Sequence, residues 1–208
     1  VQEATLIGWP APPNDSRPLV MAVVDEFTEH CLGFDLRLLQ PRPDNWYALA
    51  NRYRPILVFI ESAWMGNGGS WQYRVGTYNV SPGNELAHMT TWARQTGIPS
   101  VFWNKEDPVH HERFLAAARL VDHIFTTDVR LIDEYKTQTG RSSVHPLPFA
   151  AQPRLHRPRP LATRHPRAFF AGSWYHGRHD ARGQSMTWLL GAALQEGVDI
   201  FDRNGGAG

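Results

Sequence analysis

The chain has 208 residues, of which 42% are hydrophobic and 20% are charged, and its formal net charge at pH 7 is +1. This composition is typical of a globular protein with one or two domains and a sizeable core. The small net charge gives no electrostatic basis for binding nucleic acid or an anionic membrane. A single cysteine, Cys31, excludes an internal disulfide and a cysteine-rich metal site.

No apolar run is long enough to span a bilayer, and the first four residues lack the basic start of a signal peptide. We therefore expect a cytoplasmic protein without a membrane span. The chain begins with Val1 and ends on Gly-Gly-Ala-Gly directly after a predicted strand. From these ends we expect a fragment of a longer protein.

Predicted strands and helices alternate over residues 19–150, after a Pro-rich, irregular lead-in at residues 1–18. The first strand, residues 19–24, is a continuous apolar run, which is typical of a strand buried on both faces. Further strands are predicted at residues 34–39, 56–60, 99–103, 122–127 and 143–147. Helices are predicted at residues 44–53, 84–95, 110–120 and 128–139. Asp44 and Asp128 are the predicted N-caps of the first and the last helix, and Gly97 and Gly140 are the predicted C-caps of the second and the last. The alternation predicts an α/β fold with a Rossmann-like, doubly wound parallel sheet.

The pattern is interrupted at residues 151–167, which are rich in Pro and Arg and predict a semi-rigid linker. It then restarts over residues 168–208 with a strand at 168–171, a helix at 180–196 and a strand at 198–201. This is one βαβ unit, which we interpret as the start of a second Rossmann-like domain. One such unit cannot cover both of its faces, so self-association is possible.

Two strands of the first domain end in loops of polar, aromatic and glycine residues, at residues 61–71 and 103–108. Ligands of open α/β sheets bind at the carboxyl ends of strands, so the two loops predict a cleft. Loop tryptophans often stack on sugar-like ligands, although core packing is the alternative for each of them. The predicted substrate-binding residues are Trp64, Gly66, Asn67, Gly68, Trp71, Trp103, Asn104, Lys105, Asp107 and Thr127.

Several of these features have a second interpretation. The glycines of the first loop could cradle an anion, but a flexible loop that closes over a ligand is the preferred interpretation. Asp25 could cap a following helix, and Lys105 could be either an ion-pair partner or a phosphate ligand. The run at residues 110–112, His-His-Glu, lacks the spacing of a zinc helix and is interpreted as a solvated helix start.

Six segments resemble, in order, the CgeB-like (spore maturation protein) bacterial glycosyltransferases. They are Phe-Ile-Glu-Ser-Ala-Trp at 59–64, Gly-Asn-Gly at 66–68 with Trp71, Trp-Asn-Lys-Glu-Asp-Pro at 103–108, Phe-Thr-Thr-Asp at 125–128, Leu-Pro-Phe-Ala at 147–150 and Phe-Ala-Gly-Ser-Trp-Tyr at 170–175. The resemblance implies a GT-B glycosyltransferase, with an acceptor-binding half at residues 19–150 and the start of a donor-binding half at 168–208. It also implies a nucleotide-sugar as substrate and no metal or other cofactor. The family's later Asn- and Ser-rich stretch, which leads to an Arg-Arg-x-x-Glu helix, is absent.

Sugar transfer needs a base for the acceptor hydroxyl and donors for the departing diphosphate. The predicted bases are Glu106, Asp25 and Glu61. Glu106 is the first choice because a cation and a second carboxylate flank it, whereas Glu61 could simply pair with a basic neighbour. A strand, a small-residue turn and a helix start with arginines suit a diphosphate. The predicted donor-binding residues, which could also be ordinary surface groups, are Gly172, Ser173, Trp174, Arg178 and Arg182.

The acceptor is unknown. A non-catalytic sugar- or nucleotide-binding module with a GT-B-like half is the alternative function. A Rossmann-like enzyme with a dinucleotide cofactor is disfavoured, because no Gly-x-Gly-x-x-Gly turn follows the first strand.

Overall fold

The computed structural model describes residues 11–77, 83–158, 167–173 and 180–202. The chain divides into two compact units, Val1–Arg157 and Pro158–Gly208. This division falls inside the predicted linker, and the finer domain boundaries stay predictions.

The first unit is built on a six-stranded sheet in which every neighbouring pair of strands is parallel. The strands are β1 (Leu19–Val23), β2 (Arg37–Leu39), β3 (Leu57–Glu61), β4 (Ser100–Asn104), β5 (His123–Thr126) and β6 (Val144–Pro146). Their order is β2-β1-β3-β4-β5-β6. The direction in which successive strands are added to the sheet therefore reverses once, and the two branches meet between β1 and β3. The predicted α/β fold with a Rossmann-like parallel sheet is therefore confirmed. A crevice for ligands is expected at such a reversal, beyond the carboxyl ends of the strands.

Helices of the first unit flank this sheet. They are α1 (Glu26–Leu32), α2 (Trp46–Tyr53), α3 (Glu85–Gln95), α4 (His111–Ala118) and α5 (Ile132–Thr139), with short 3-10 turns at Asn67–Gly69 and Val129–Leu131. All five residues of β1 are buried, as the apolar run predicts for a central strand. The core joins Met21, Ile60, Phe102 and Ile124 of the strands to Leu49, Met89, Phe114 and Tyr135 of the helices.

Two element starts differ from the prediction because local hydrogen bonds and ion pairs decide where the element begins. The predicted strand at 34–39 begins only at Arg37, because the N–H groups of Asp35 and Leu36 still bond to the carbonyl of Leu32 at the end of α1. Asp44 does not cap α2, because its carboxylate pairs with Arg42 at 2.9 Å. Asn45 occupies the cap position instead.

The second unit contains a parallel β-α-β arrangement of β7 (Ala168–Gly172), α6 (Asp180–Glu196) and β8 (Val198–Asp202). Its described residues expose several large apolar side chains, which is the surface that the self-association prediction requires. These side chains are Phe169, Trp188, Leu189, Leu194, Ile200 and Phe201. Self-association stays a prediction.

Within the described residues, none of the helices combines the length and apolar character needed to cross a membrane. The predicted cytoplasmic location is untested.

Candidate functional site

The predicted site residues of the first unit come together at the carboxyl edge of its sheet. Strand register places them there: Val23 pairs with Ile60, Glu61 pairs with Trp103, and Asn104 pairs with Thr126. The loops after β1, β3, β4 and β5 therefore share one edge, as the sequence predicts. Some of these side chains are bonded within the protein and stabilise the loops. Others keep exposed surface or an atom without a hydrogen-bond partner among the described residues.

Asp25, directly after β1, fixes the loop that follows β3. Its carboxylate accepts hydrogen bonds from the N–H groups of Trp64 at 3.0 Å, Met65 at 3.1 Å and Gly66 at 2.7 Å. It occupies the cap position of α1 but makes no cap bond with its side chain, so the cap interpretation is wrong. The loop does cradle an anion, and that anion is the carboxylate of Asp25 itself. Asp25 is thus engaged in a structural role rather than presented as a base.

Glu61 and Lys105 form a buried ion pair beside Asp25. The Glu61 side chain is 0% exposed and that of Lys105 is 11% exposed, with 3.0 Å between Oε1 and Nζ. Glu61 also accepts hydrogen bonds from the Asp25 N–H and the Thr28 hydroxyl. Burial raises the pKa of Glu61, and the Lys105 charge opposes that rise. The pairing interpretation of both residues is therefore confirmed, and neither presents a free group for catalysis.

The glycine-rich loop is packed onto the sheet, against the expectation of a flexible segment that closes over a ligand. The side chain of Asn67 donates to the carbonyls of Ala22 at 2.9 Å and Pro41 at 2.8 Å, and it accepts from the Val24 N–H at 3.1 Å. Trp71 is 0% exposed and donates from Nε1 to the Pro41 carbonyl at 2.7 Å. Ligand contact by the Asn67 and Trp71 side chains is corrected to a structural role, because neither reaches the surface.

Gly66 and Gly68 of this loop both have positive φ, but only one of them is closely packed. Gly66 has φ of +59°, and a Cβ there would lie 2.8 Å from the Trp71 Cβ. Gly68 has φ of +67° with no described atom within 4 Å of that position. Gly66 is therefore required by packing as well as by backbone conformation, whereas Gly68 is exposed and remains available to a ligand.

The other two predicted tryptophans are half-buried at the edge. Trp64 packs edge-on against His110 and Phe114, with ring centroids 5.0 and 5.2 Å apart. Trp103 donates from Nε1 to the Leu147 carbonyl at 2.9 Å and contacts the Phe149 ring. Both rings retain exposed surface, so both remain candidates for ligand contact.

Asp107 is the centre of a second polar cluster, between the ends of β4 and β5. Its side chain is 0% exposed. It accepts from Asn104 Nδ2 at 2.8 Å, Thr126 Oγ1 at 2.6 Å and the Tyr135 hydroxyl at 3.0 Å. Its fourth partner is His111 Nδ1, 3.1 Å away. Burial raises the pKa of Asp107, whereas these donors act in the opposite direction. Burial and the neighbouring carboxylate raise the pKa of the Tyr135 hydroxyl.

His111 corrects the interpretation of residues 110–112 as a solvated helix start. It is only 6% exposed, and its ring packs against Tyr135 with centroids 4.5 Å apart. Its Nε2 is buried with no hydrogen-bond partner among the described residues, the Glu134 carboxylate being 3.6 Å away. The sequence signal for this pairing is the spacing of four residues from Asp107, which is weak because the Asp lies before the helix.

The remaining predicted residues of the edge have mixed roles. Asn104 is fully buried, and its side chain bonds to Asp107, Tyr135 and the Glu106 N–H, so it orients the cluster and does not reach a ligand. Thr127 donates weakly to the Asn104 carbonyl at 3.3 Å. Glu106 is half-buried, and its backbone N–H donates to Asn104 Oδ1 at 3.0 Å.

A pocket of about 400 Å³ opens beside this cluster. It lies between the loop after β4 and the start of α5, at the same carboxyl edge. Its wall includes His110, His111, Glu112, Arg113, Leu131 and Glu134.

The predicted donor-binding residues are described only in part. Gly172 ends β7, Ser173 follows it and is buried, and Arg182 is exposed in α6. Trp174 and Arg178 lie outside the described residues. No group of three or more His, Cys, Asp or Glu side chains that could bind a metal ion occurs in the part of the chain that the structure describes.

Comparison of the chain with protein-family models, curated proteins and solved structures finds no match. The resemblance to the CgeB-like glycosyltransferases therefore stays a prediction from the motifs.

Proposed function

We propose that the protein is a GT-B-type glycosyltransferase that moves a sugar from a nucleotide-sugar donor to a hydroxyl of an acceptor. In this proposal, the first unit binds the acceptor at the carboxyl edge of its sheet. The second unit provides the start of the donor-binding half, with Gly172, Ser173 and Arg182 near the diphosphate. No metal or other cofactor is part of the proposal.

The observation that carries the proposal is the arrangement of the carboxyl edge. Four parallel strands end there in polar loops, and two half-buried tryptophan rings, Trp64 and Trp103, lie beside them. Aromatic faces and hydrogen-bonding groups at the end of a parallel sheet suit a sugar-like ligand. A second parallel β-α-β unit in the same chain supports the two-half organisation.

The His111 Nε2 at this edge is buried and has no hydrogen-bond partner among the described residues. Glu106, the first choice among the predicted bases, is half-buried in the loop after β4. Asp25 and Glu61, the other predicted bases, are already engaged with backbone N–H groups and with Lys105. The proton of the acceptor hydroxyl is therefore assigned to His111 or Glu106.

A thermal-shift screen against UDP, GDP, dTDP and their sugar conjugates tests the proposal. A donor at 100 times its dissociation constant adds about 2.7 kcal/mol to the stability of the folded state, or roughly 5–10 °C for a chain of this size. We expect one nucleotide series to give such a shift and its sugar conjugate to be consumed when an acceptor is supplied. Arg182→Gln should reduce the shift, whereas Arg52→Gln, an exposed arginine of α2, should not. The absence of a shift with every nucleotide would refute the proposal.

A non-catalytic binding module is the second candidate function, and one observation favours it. At the crevice between β1 and β3, where an open α/β sheet usually binds its ligand, Asp25, Glu61 and Lys105 bond to one another. A thermal shift with a sugar or nucleotide, without consumption of any nucleotide-sugar, would support this function over the transferase.

A further inference from the structure

We propose that Asp107 and His111 form a carboxylate–imidazole dyad that binds a small polyhydroxylated molecule in the adjoining pocket and takes the proton from one of its hydroxyls at His111 Nε2. The chemistry of this inference rests on the proposed transferase function. The binding site itself rests only on the geometry of the first unit.

The orientation of the imidazole follows from its partner. Asp107 has only acceptor oxygens when ionised, and three other donors, from Asn104, Thr126 and Tyr135, already stabilise that form. The His111 Nδ1, 3.1 Å from the carboxylate, therefore carries the proton of the neutral ring. Nε2 is left with its lone pair. A carboxylate that fixes the tautomer of a histidine in this way is the arrangement by which a base is oriented in acyl-transfer and related enzymes.

The lone pair of Nε2 is unused by the described part of the protein. The atom is buried and has no hydrogen-bond partner there, and the nearest carboxylate oxygen, of Glu134, is 3.6 Å away. A buried polar atom without a partner destabilises the folded state. A histidine that served only to fill the core would carry this cost without a return, whereas a ligand hydroxyl at Nε2 would remove it.

The pocket indicates the class of ligand. Its volume of about 400 Å³ is within the range of small-molecule sites. Its wall includes His111, Glu112 and Glu134, which can accept hydrogen bonds from the O–H groups of a ligand, and Arg113, which can donate to hydroxyl oxygens. Trp64, whose ring contacts the His110 ring of the same wall, adds an aromatic surface nearby. A sugar or a polyol combines these properties.

In the transfer step, the O–H bond of the acceptor breaks, and its proton passes to His111 Nε2. The hydroxyl oxygen uses the freed electron pair to form a bond to the anomeric carbon of the nucleotide-sugar. The bond from that carbon to the diphosphate breaks, and its electron pair leaves with the nucleoside diphosphate. His111 is the catalytic residue here, and Asp107 is a positioning residue.

Long-range ¹H–¹⁵N spectra of the histidine rings in the full chain test the site without any donor. His111→Gln identifies the signals, and His88→Gln, an exposed histidine of α3, is the matched control. We expect a protonated Nδ1 and an unprotonated Nε2, and we expect Nε2 to shift when free hexoses, hexosamines or polyols are added, while His88 does not. Asp107→Asn should move the proton to Nε2 and abolish the response of Nε2 to the sugars and polyols, and a merely structural role predicts no such response to lose. A protonated Nε2 in the unaltered protein, or a ring that no member of the panel perturbs, overturns the proposal.

Turnover of the nucleotide-sugar found by thermal shift tests the chemistry. His111→Gln should lower kcat by about 10²-fold or more while the thermal shift with donor persists, and its loss should exceed that of Glu106→Gln at least tenfold. Glu134→Gln, at a half-exposed position that leaves the dyad intact, should raise KM more than it lowers kcat.

The two proposals fail separately. Normal turnover by His111→Gln, in a protein that binds and consumes the donor, overturns this inference and leaves the transferase. A response of His111 to sugars without binding of any nucleotide supports the site and refutes the transferase.

Discussion

The ion pair between Glu61 and Lys105 gives the sharpest test of how the carboxyl edge is stabilised. We consider three variants: Lys105→Met, Glu61→Gln and the double variant. Lys105→Met leaves the Glu61 carboxylate at 0% exposure without its cation, although the Thr28 hydroxyl and the Asp25 N–H still donate to it. Glu61→Gln leaves Lys105 with 11% exposure and with Asp25 Oδ2 still 3.8 Å away.

The magnitudes follow from these distances. At 3.0 Å, and with an effective dielectric constant of about 20, the Coulomb attraction is about 5.5 kcal/mol. Desolvation of two buried ions costs several kcal/mol each, so the intact pair contributes little net stability. Loss of one partner leaves a buried charge and costs about 3–5 kcal/mol. We therefore expect about 3–5 kcal/mol of destabilisation for Lys105→Met and about 2 kcal/mol for Glu61→Gln, where Asp25 compensates. The double variant should lie within about 1 kcal/mol of the unaltered protein.

Urea unfolding of the four proteins at pH 7 and at pH 5 measures these differences. Burial raises the pKa of Glu61, so its contribution to stability is fully present below its ordinary pKa and is lost as pH rises through the folded-state pKa. Without the Lys105 charge to oppose it, the rise should be larger. The penalty of Lys105→Met should therefore shrink on acidification. Additive effects of the two substitutions, or a penalty that grows as the pH falls, would refute this account.

Three further predictions concern the loop after β3. Gly66→Ala should destabilise the fold by about 2–5 kcal/mol, because positive φ and the 2.8 Å approach to Trp71 both oppose a Cβ, whereas Gly68→Ala should cost only about 1 kcal/mol; thermal unfolding of the two variants compares them. Trp71→Phe should cost about 1–3 kcal/mol through the lost hydrogen bond to Pro41 and the smaller ring, and equal stability in urea would contradict the buried position. Asp25→Asn should lower stability by about 2–4 kcal/mol and accelerate hydrogen exchange of the three amides that its carboxylate now accepts from; unchanged exchange would show that these bonds do not secure the loop.

The sheet could be predicted because its signals are local. The apolar run of residues 19–24 and the abrupt polar ends at residues 61 and 104 specify buried strands and their carboxyl edge without any knowledge of partners. The shared edge then follows from the geometry of parallel strands. The predicted start of β2 at residue 34 is wrong, because hydrogen bonds to the Leu32 carbonyl, and not the hydrophobic pattern, decide where the chain leaves α1.

The roles of individual polar residues could not be predicted, because their partners are distant in the sequence. Asp25 bonds to amides about 40 positions later, and Glu61 pairs with a lysine 44 positions later. His111 looked like a surface residue because it follows another histidine and precedes a glutamate. Its burial depends on Tyr135, which comes from a different helix.

The division of labour along the carboxyl edge decides where a ligand is expected. At the reversal of the strand order between β1 and β3, the side chains that could bind a ligand bond to one another, and we expect their removal to destabilise the fold. Two strand pairs further along the sheet, between β4 and β5, Asp107 has four hydrogen-bond partners, but Nε2 of the histidine that it orients is buried without a partner among the described residues, and that histidine lines a pocket. Polar groups that stabilise the fold have hydrogen-bond partners within the protein. Groups that act on a ligand must keep a donor or acceptor atom without such a partner. We therefore expect ligand binding on the β4–β5 side of the edge, with the β1–β3 crevice serving as its support.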